Sequence, residues 1–508
     1  MTSVECFTDG LKRRGVEWMA ALCGHGLDPL FYAAKRAGLR LVDTRNEQTA
    51  GYIAAAYGQL TRTPGVCAVS SGVAHVNALS GVVNAHFDGA PMLLVSGAAA
   101  LRTAGMGHFQ DLDQVAMAAS VTRYARVVDH PERTLQILDE AWRAASPGAG
   151  GPGPAHLTYP MDIQTAEVDE ERLIRPAAVS ESVTVTSQPF PECARPVIVA
   201  GSGVYYSGAG PALLEYAERH SIPVVTPIWD RGVVNAPSPV FCGVVGAASG
   251  GARLIEDADC LILAGAAVDY RLGYLQFSAR ELSSRVLRID HGWKGLAAPS
   301  SPHTEWLAEA RMRRDQFRQS VRNTGAKQAE RGMHAVHVIE ALARVVRDDT
   351  TLVIDGGSIG QWAHQLLTDR YPSHWLTCGR SGVVGYGIAG AMAARLAFPD
   401  RGVVLLSGDG AFTFTVAELE CAVRQKLPFV AVVADDQSWG ITETGHIRQF
   451  GVGIGTSLGP IAFDRLAESL GARGVRVTDP GLLAGEIERG IDSGEVTVIH
   501  ARIVGGNP

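Results

Sequence analysis

The segment 403–440, VVLLSGDGAFTFTVAELECAVRQKLPFVAVVADDQSWG, carries the residues best suited to chemistry. An apolar run ends at Ser407, Gly408-Asp409-Gly410 turns the chain, and a helical period follows from about Ala411 to Gln425. A second apolar run closes on Asp435-Asp436, and Gly440 permits the next turn. The intervening stretch is long enough for the crossover that parallel neighbouring strands need. Such strands would bring Asp409 and Asp436 together at their carboxyl ends, where open α/β sheets bind ligands. Two carboxylates beside glycine backbone make an oxygen-rich half-cage for a hard cation. Mg²⁺ suits that donor set and completes its octahedron with phosphate or water oxygens. The N–H groups and dipole at the start of the following helix favour the same anion. Taken singly, Gly-Asp-Gly is an ordinary turn and Asp435-Asp436 a solvated strand end. Their placement on successive strands is what predicts a site.

That pair needs a parallel sheet to hold it, and the rest of the chain has the pattern of one. Apolar β-rich runs alternate with helical periods throughout, which predicts an α/β fold of three doubly wound parallel-sheet domains. Strands are expected at 40–43, 66–70, 92–96 and 156–159, with a helix at 47–60. A Gly/Pro-rich stretch at 146–154 precedes the last of these strands. Strands resume at 196–200, 223–226, 260–264 and 286–290, and again at 351–355, 403–407, 429–434 and 497–503. The polar stretch 164–194 and the charge-rich helical passage 305–332 read as linkers. The domains are then 1–165, 190–325 and 333–508. No short-period repeat is visible.

The length of 508 residues suits about three domains, and 46% hydrophobic with 19% charged residues is a globular composition. Lys and Arg number 45 against 52 Asp and Glu, a net charge of −7 without any block of like charge. Neither nucleic acid nor a membrane surface is therefore expected as a partner. The 8 cysteines include no CxxC, and they read as free thiols of a reducing compartment. There is no secretory-signal pattern and no apolar run of about 18 residues. A cytoplasmic protein is the expectation.

The segment 403–440 resembles the thiamine diphosphate motif, which opens with GDG and closes one helix and one strand later with an Asn or Asp pair. DTRNEQTAGYIAAAYG (43–58), SSGVAHVNALSGVVNAHFDGAPMLLVSG (70–97) and FQDLDQVAMAASVTRYARVV (109–128) extend the likeness. Over nearly its whole length the chain resembles the acetolactate synthase, benzaldehyde lyase and 2-hydroxyacyl-CoA lyase superfamily. Benzaldehyde lyase looks nearest, through DTR-x-E, DQVAMAA and QSWG. The resemblance implies an enzyme with pyrimidine-binding, middle and diphosphate-binding domains. It would be a thiamine diphosphate- and Mg²⁺-dependent carbon–carbon lyase or carboligase. Its substrates would be 2-keto acids, 2-hydroxy ketones or aldehydes, handled through a thiazolium ylid and an enamine.

Carried over by position, Asp409 and Asp436 match the side-chain ligands of Mg²⁺, and the backbone carbonyl of Ser438 matches the third protein ligand. The family usually has Asn-Asn where this chain has Asp435-Asp436, which adds negative charge near the diphosphate. Gly410 and Ala411 match backbone donors to the diphosphate, and Ser358 and Ile359 match its other clamp. Gly72, Asn77, Gly408 and Gly440 count among the cofactor contacts. In SGVVGYGIAGA (381–391), Gly382 matches the acceptor of the 4′-amino group. Val384 matches a backbone donor to the ring and its apolar prop, though shorter than the usual Met or Leu. Core packing is the other reading of Val384. Glu47 matches the glutamate that hydrogen-bonds N1′ of the pyrimidine. Burial in an apolar site would raise its pKa and favour sharing that proton. The ring then removes the C2 proton, so the cofactor performs the hard step. On local sequence alone Glu47 is a surface residue at a helix N-terminus. In the family, this glutamate and the diphosphate clamp belong to different subunits, which implies a homodimer or homotetramer with shared active sites.

The substrate side is less sharply marked. In ALCGHGLDPLF (21–31) the catalytic His of benzaldehyde lyase aligns with Gly26, and His25 stands just before it. Either His25 takes the proton-shuttle role or the shuttle is absent. Gln110 matches a glutamine that orients substrate oxygens, and His108 is near enough to share its pocket. Trp439 and His446 follow the metal loop and either wall the acceptor site or pack as an aromatic and a solvated loop histidine. The middle domain carries AGSGVYYSGAG (200–210) and DYRLG (269–273), the latter echoing a flavin-contacting stretch. A structural middle domain without FAD or another nucleotide is nonetheless expected. The tail VGGNP after Ile503 shows no basic lid for coenzyme A. Two alternatives stay open: a non-ligating 2-keto acid decarboxylase, and a non-catalytic cofactor-binding paralogue suggested by Asp435, Asp436, Val384 and Gly26.

Overall fold

The computed structural model describes residues 1–148, 150–169, 171–174, 188–246, 251–276, 286–289, 293, 296–367, 369, 371–506 and 508. Its apolar runs form strands, and Gly65–Val69, Cys260–Ala264 and Val403–Gly408 are buried at every residue. Burial on both faces is what a parallel sheet covered by helices demands.

Three sheets result. The first contains β1 (Trp18–Leu22), β2 (Arg40–Asp43), β3 (Gly65–Val69), β4 (Met92–Ala98), β5 (Tyr124–Val127) and β6 (Pro154–Pro160) in the order β2-β1-β3-β4-β6-β5. The second holds β7 (Pro196–Ala200), β8 (Val224–Pro227), β9 (Phe241–Val245), β10 (Cys260–Ala264) and β11 (Val286–Ile289) in the order β11-β10-β7-β8-β9. The third has β12 (Thr351–Ile354), β13 (Leu376–Thr377), β14 (Val403–Gly408), β15 (Val430–Asp435), β16 (Arg473–Val477) and β17 (Thr497–Arg502). Its order is β13-β12-β14-β15-β17-β16. The strand pairs are parallel in all three, as at Ala20↔Cys67, Ile262↔Ile198 and Gly408↔Ala434.

In each sheet the chain winds first to one side of its opening strand and then to the other, and the strand ends at that switch point leave a crevice. In the first sheet it lies between β1 and β3, and in the third between β12 and β14. In the second it lies between β7 and β10, where glycines bring the chain against itself. A Cβ on Gly201 would come within 2.4 Å of Ala266 Cα, and one on Gly203 within 2.8 Å of Gly265 Cα. The amides of Gly201 and Gly203 donate to Ala264 and Gly265 carbonyls at 2.9 and 3.0 Å. The glycine pattern of 200–210 thus serves close backbone packing.

Several expectations need correction. Strands 18–22, 124–127, 241–245, 376–377 and 473–477 were not anticipated; β5 and β16 are edge strands only partly buried along most of their length, so neither carries the unbroken apolar run of a core strand. The single helix expected from Ala411 to Gln425 is two, Asp409–Thr413 and Glu418–Arg424. The passage 305–332 is helical as expected, over Thr304–Ala329, and its Trp306 indole donates to Pro196 O at 2.9 Å. In the polar stretch 164–194, residues 170 and 175–187 lie outside the described residues, as do 149 and 290.

The chain divides into two compact units. One comprises Met1–Ser182 with Ile388–Pro399 and Ala417–Leu427, and the other Val183–Gly387, Asp400–Val416 and Pro428–Pro508. The core of the first gathers Phe7, Met19, Leu93, Ile137 and Leu157. In the second, one apolar cluster includes Ile198 and Val224 of the second sheet and Val432 and Ile499 of the third. Among the described residues no helix is long and apolar enough to cross a membrane.

Candidate active site

The β12–β14 crevice opens into a cavity of about 180 Å³. It is lined by Ser358, Ile359, Val384, Gly408, Asp409, Gly410, Ala411, Asp436, Ser438, Trp439 and Gly440, with Ile441 and Ile503 among its apolar walls. Two helices begin there, Ser358–Leu366 and Asp409–Thr413, and neither has a side-chain cap on its first amides. Gly357 at φ 116° makes the entry to the first of them. The Gly408↔Ala434 register sets Asp409 beside the end of β15, as the alternating pattern predicts. Gly410 lies under the Trp439 ring, which a Cβ there would meet at 2.6 Å. A Cβ on Gly440 would stand 3.1 Å from both Asp436 Oδ2 and Ser358 Oγ.

The carboxylates of this cavity are under electrostatic pressure. Burial, with repulsion from Asp436 and Asp435, pushes Asp409 up to about 7. Burial likewise raises Asp436 to about 6, although the Ser438 N–H donates to its Oδ1 at 3.2 Å. Asp435 behaves differently. Its burial is outweighed by His500, whose Nε2 lies 2.9 Å from Oδ2, and by Arg502 Nη1, 2.9 Å from Oδ1, so its carboxyl stays below the ordinary range. The extra charge at 435 is thus compensated from β17, and the uncompensated pair is Asp409 with Asp436. Glu443 steadies the loop by accepting the Ser438 hydroxyl at 2.7 Å.

Asp355, at the end of β12, escaped the sequence reading. It accepts Gly356 N at 2.7 Å and Gly387 N at 2.9 Å, so it ties the strand end to the 381–387 loop. Burial raises it to about 6 against those amides. In that loop Gly382 is exposed at φ 65°, and Val384 packs on Gly356, whose added Cβ would meet Val384 Cγ1 at 2.6 Å. A buried acid ending an apolar strand before Gly-Gly was the signal available. His446 does not line the cavity; its Nδ1 accepts Ile454 N at 3.3 Å and its ring packs on Phe450.

The first unit brings its own set together at the β1–β3 crevice. Glu47 is the first residue of the helix Glu47–Thr61; it is half-buried, and its Oε2 accepts from Asn77 Nδ2 at 3.0 Å. His25 is exposed, its carbonyl accepts Ser71 N at 3.2 Å, and its ring stacks with His108 at 6.1 Å and meets Phe109 edge-on at 5.5 Å. Gln110, at φ 57°, accepts the Ser71 hydroxyl at 2.7 Å. Gly72, at φ 58°, donates to Gln114 Oε1 at 2.8 Å, and Gln114, another residue missed from sequence, also donates to Gly97 O at 3.0 Å. Gly26 is buried at φ 102°, with 3.1 Å between an added Cβ and Ala98 N. His25, not position 26, therefore presents a side chain.

Comparison with known proteins bears on this arrangement. Residues 1–117, 191–296 and 355–501 match the N-terminal thiamine pyrophosphate-binding, central and C-terminal thiamine pyrophosphate-binding domains of thiamine pyrophosphate enzymes. The chain belongs to the thiamine pyrophosphate enzyme family. A probable acetolactate synthase of Mycobacterium bovis is 29% identical, covering 96% of this chain and 93% of its own length. The acetolactate synthase isozyme 1 large subunit of Escherichia coli is 26% identical over 99% and 94%. The 2-hydroxyacyl-CoA lyase 2 of Bos taurus is 26% identical over 92% and 83%.

For a thiamine pyrophosphate enzyme, the cavity's donor set fits a Mg²⁺–diphosphate group. Among the described residues no three His, Cys, Asp or Glu side chains form a closed cage. Two buried carboxylates instead leave coordination positions for phosphate oxygens, and a divalent cation between them would offset the burial that raises both and the repulsion that raises Asp409 further.

Proposed function

We propose that this thiamine pyrophosphate enzyme is a Mg²⁺-dependent carbon–carbon lyase or carboligase of the acetolactate synthase and 2-hydroxyacyl-CoA lyase kind, acting on 2-keto acids, 2-hydroxy ketones or aldehydes. The carrying observation is the convergence of Asp409 and Asp436 with two uncapped helix starts on one cavity at a switch point of the sheet. Asp409, Asp436 and the Ser438 carbonyl hold the cation. The amides of Gly410, Ala411, Ser358 and Ile359 hold the diphosphate, with Gly408 and Gly440 keeping the backbone close. Gly382 and Val384 seat the pyrimidine, and Gly72 and Asn77 support the loop facing it. When bound, thiamine diphosphate supplies a carbon nucleophile that attacks a carbonyl and stores the electron pair of the broken bond. Glu47 holds a proton at N1′. His25, with His108 beside it, moves a proton at the substrate oxygen, and Gln110 orients that oxygen. Trp439 walls the cavity.

A homodimer or homotetramer with shared sites belongs to the same proposal. The helix Gly440–Phe450 buries no residue and exposes Ile441, Ile447 and Phe450, while the first unit exposes Val73, Val76 and Phe87. The middle sheet is proposed to be structural, its crevice filled by its own backbone.

The test is C2–H exchange of bound thiamine diphosphate in deuterated water, with and without Glu47→Gln. Wild type should exchange rapidly with Mg²⁺. The variant should bind the cofactor but lose about 10²-fold or more in exchange and turnover. A fully active variant would sink the assigned proton relay. Product analysis with and without added aldehyde separates ligation from simple decarboxylation.

A further inference from the structure

The helix Glu418–Arg424 follows the cation-binding segment in sequence, yet belongs to the compact unit of the first sheet. Glu418 is only 1% exposed. Both its carboxylate oxygens accept the backbone N–H of Arg45, at 3.1 and 3.0 Å. Arg45 and Asn46 form the junction between β2 and the helix on which Glu47 is the first residue. Asn46 caps that helix from within, accepting Gln48 N at 2.8 Å. Glu418 holds the junction from outside.

A polar clasp surrounds this contact. Arg45 Nη2 lies 2.9 Å from Glu420, Arg424 Nε 2.9 Å from Glu420, and Arg424 Nη2 2.7 Å from Asp43. Gln425 donates to Asp43 and Arg40 to Gln425 O. The outer pairs are partly exposed and stabilise little. Glu418 differs, because it is itself buried and its loss strips the junction amide of its acceptor in a part-buried contact.

We propose that Glu418 is a positioning residue for Glu47. It fixes the β2-to-helix junction, and so the place from which the Glu47 carboxylate reaches out. The claim rests on the role proposed above for Glu47, whose own side chain is otherwise steadied from Asn77. A first turn free to fray moves that carboxylate, and displacements of about 1 Å at a reacting group can cost about 10²-fold in rate.

The test uses the full chain with Glu418→Ala and Glu418→Gln. In the cofactor-free protein, amide hydrogen exchange over residues 44–50 should speed up about tenfold or more in Glu418→Ala. The β3 amides 65–69 should stay unchanged. Glu418→Gln keeps a carbonyl acceptor and should restore protection. In the loaded enzyme, Glu418→Ala should lower kcat and C2–H exchange about tenfold while KM moves less than about threefold, and Glu418→Gln should recover most of the loss. Unchanged protection at 44–50 in both variants overturns the proposal. So does a Gln variant as impaired as Ala, or a loss of activity carried by KM alone. If wild type itself shows no C2–H exchange, the proposed function falls, while the cofactor-free measurement still decides whether Glu418 holds the junction. Should the Ala variant fail to fold, Glu418→Gln carries the test: near-native protection and kcat support the proposal, and loss of either overturns it.

Discussion

Gly26 shows how a single residue can decide between two chemistries. A histidine there would need φ near 102° and a Cβ 3.1–3.3 Å from the Gly97–Ala98 backbone. Left-handed strain alone costs about 1–3 kcal/mol. Gly26→His should therefore lower the melting temperature by several degrees without creating a proton shuttle, as calorimetry and turnover would show. His25→Ala should instead leave the melting temperature near wild type and cut turnover about 10²-fold or more. Asp355 is a second such residue. Asp355→Ala would orphan the amides of Gly356 and Gly387, at about 1–3 kcal/mol. Urea unfolding should register that loss, and cofactor affinity should fall with it because the 381–387 loop is released.

At the scale of elements, the first sheet hides a titratable pair. His75, on the helix Val73–Asp88, and His156, on β6, share the Ser96 hydroxyl of β4 at 2.8 and 3.3 Å. Burial pushes His75 down to about 4 and His156 well below its ordinary value. Both stay neutral in the fold and would take up protons when unfolded. Their contribution to stability is therefore complete above about pH 6.5. It is lost as pH falls below that, at up to about 1.4 kcal/mol per pH unit for each group, for His75 until about pH 4. Unfolding midpoints measured between about pH 7 and 5 should drop accordingly, and His156→Gln should flatten that dependence. In the third sheet, Arg502→Met would leave buried Asp435 with His500 and the Gln437 amide but without its guanidinium. Because Arg502 is partly exposed, the expected loss is about 2 kcal/mol, below that of a fully buried pair. It is read by the unfolding midpoint.

At the scale of the whole molecule, the first compact unit is not one stretch of chain. It takes Ile388–Pro399 and Ala417–Leu427 from far downstream, so Glu418 and its helix complete what Met1–Ser182 begins. A fragment ending at residue 182 should thus be protease-sensitive and poorly cooperative in limited proteolysis and melting, whereas the full chain should resist. Sedimentation should give a dimer or tetramer, and the purified protein should carry no flavin absorbance.

Much of this was legible in sequence because parallel β-α-β units are written locally. An apolar run, a glycine turn, a helical period and a second run suffice to set Asp409 and Asp436 at neighbouring strand ends. The edge strands β5 and β16 were not legible, since Arg126 in one and Arg473 and Arg476 in the other interrupt short, half-buried runs. Nor were the partners of buried carboxylates. Glu418 meets Arg45, Asp355 meets Gly387, and Asp435 meets Arg502 across long stretches of chain. Local pattern fixes which element forms and which way its ends point. Only the packed chain decides which distant backbone amide or cation satisfies a charge once water is removed, because that choice depends on burial and proximity that no sequence window contains.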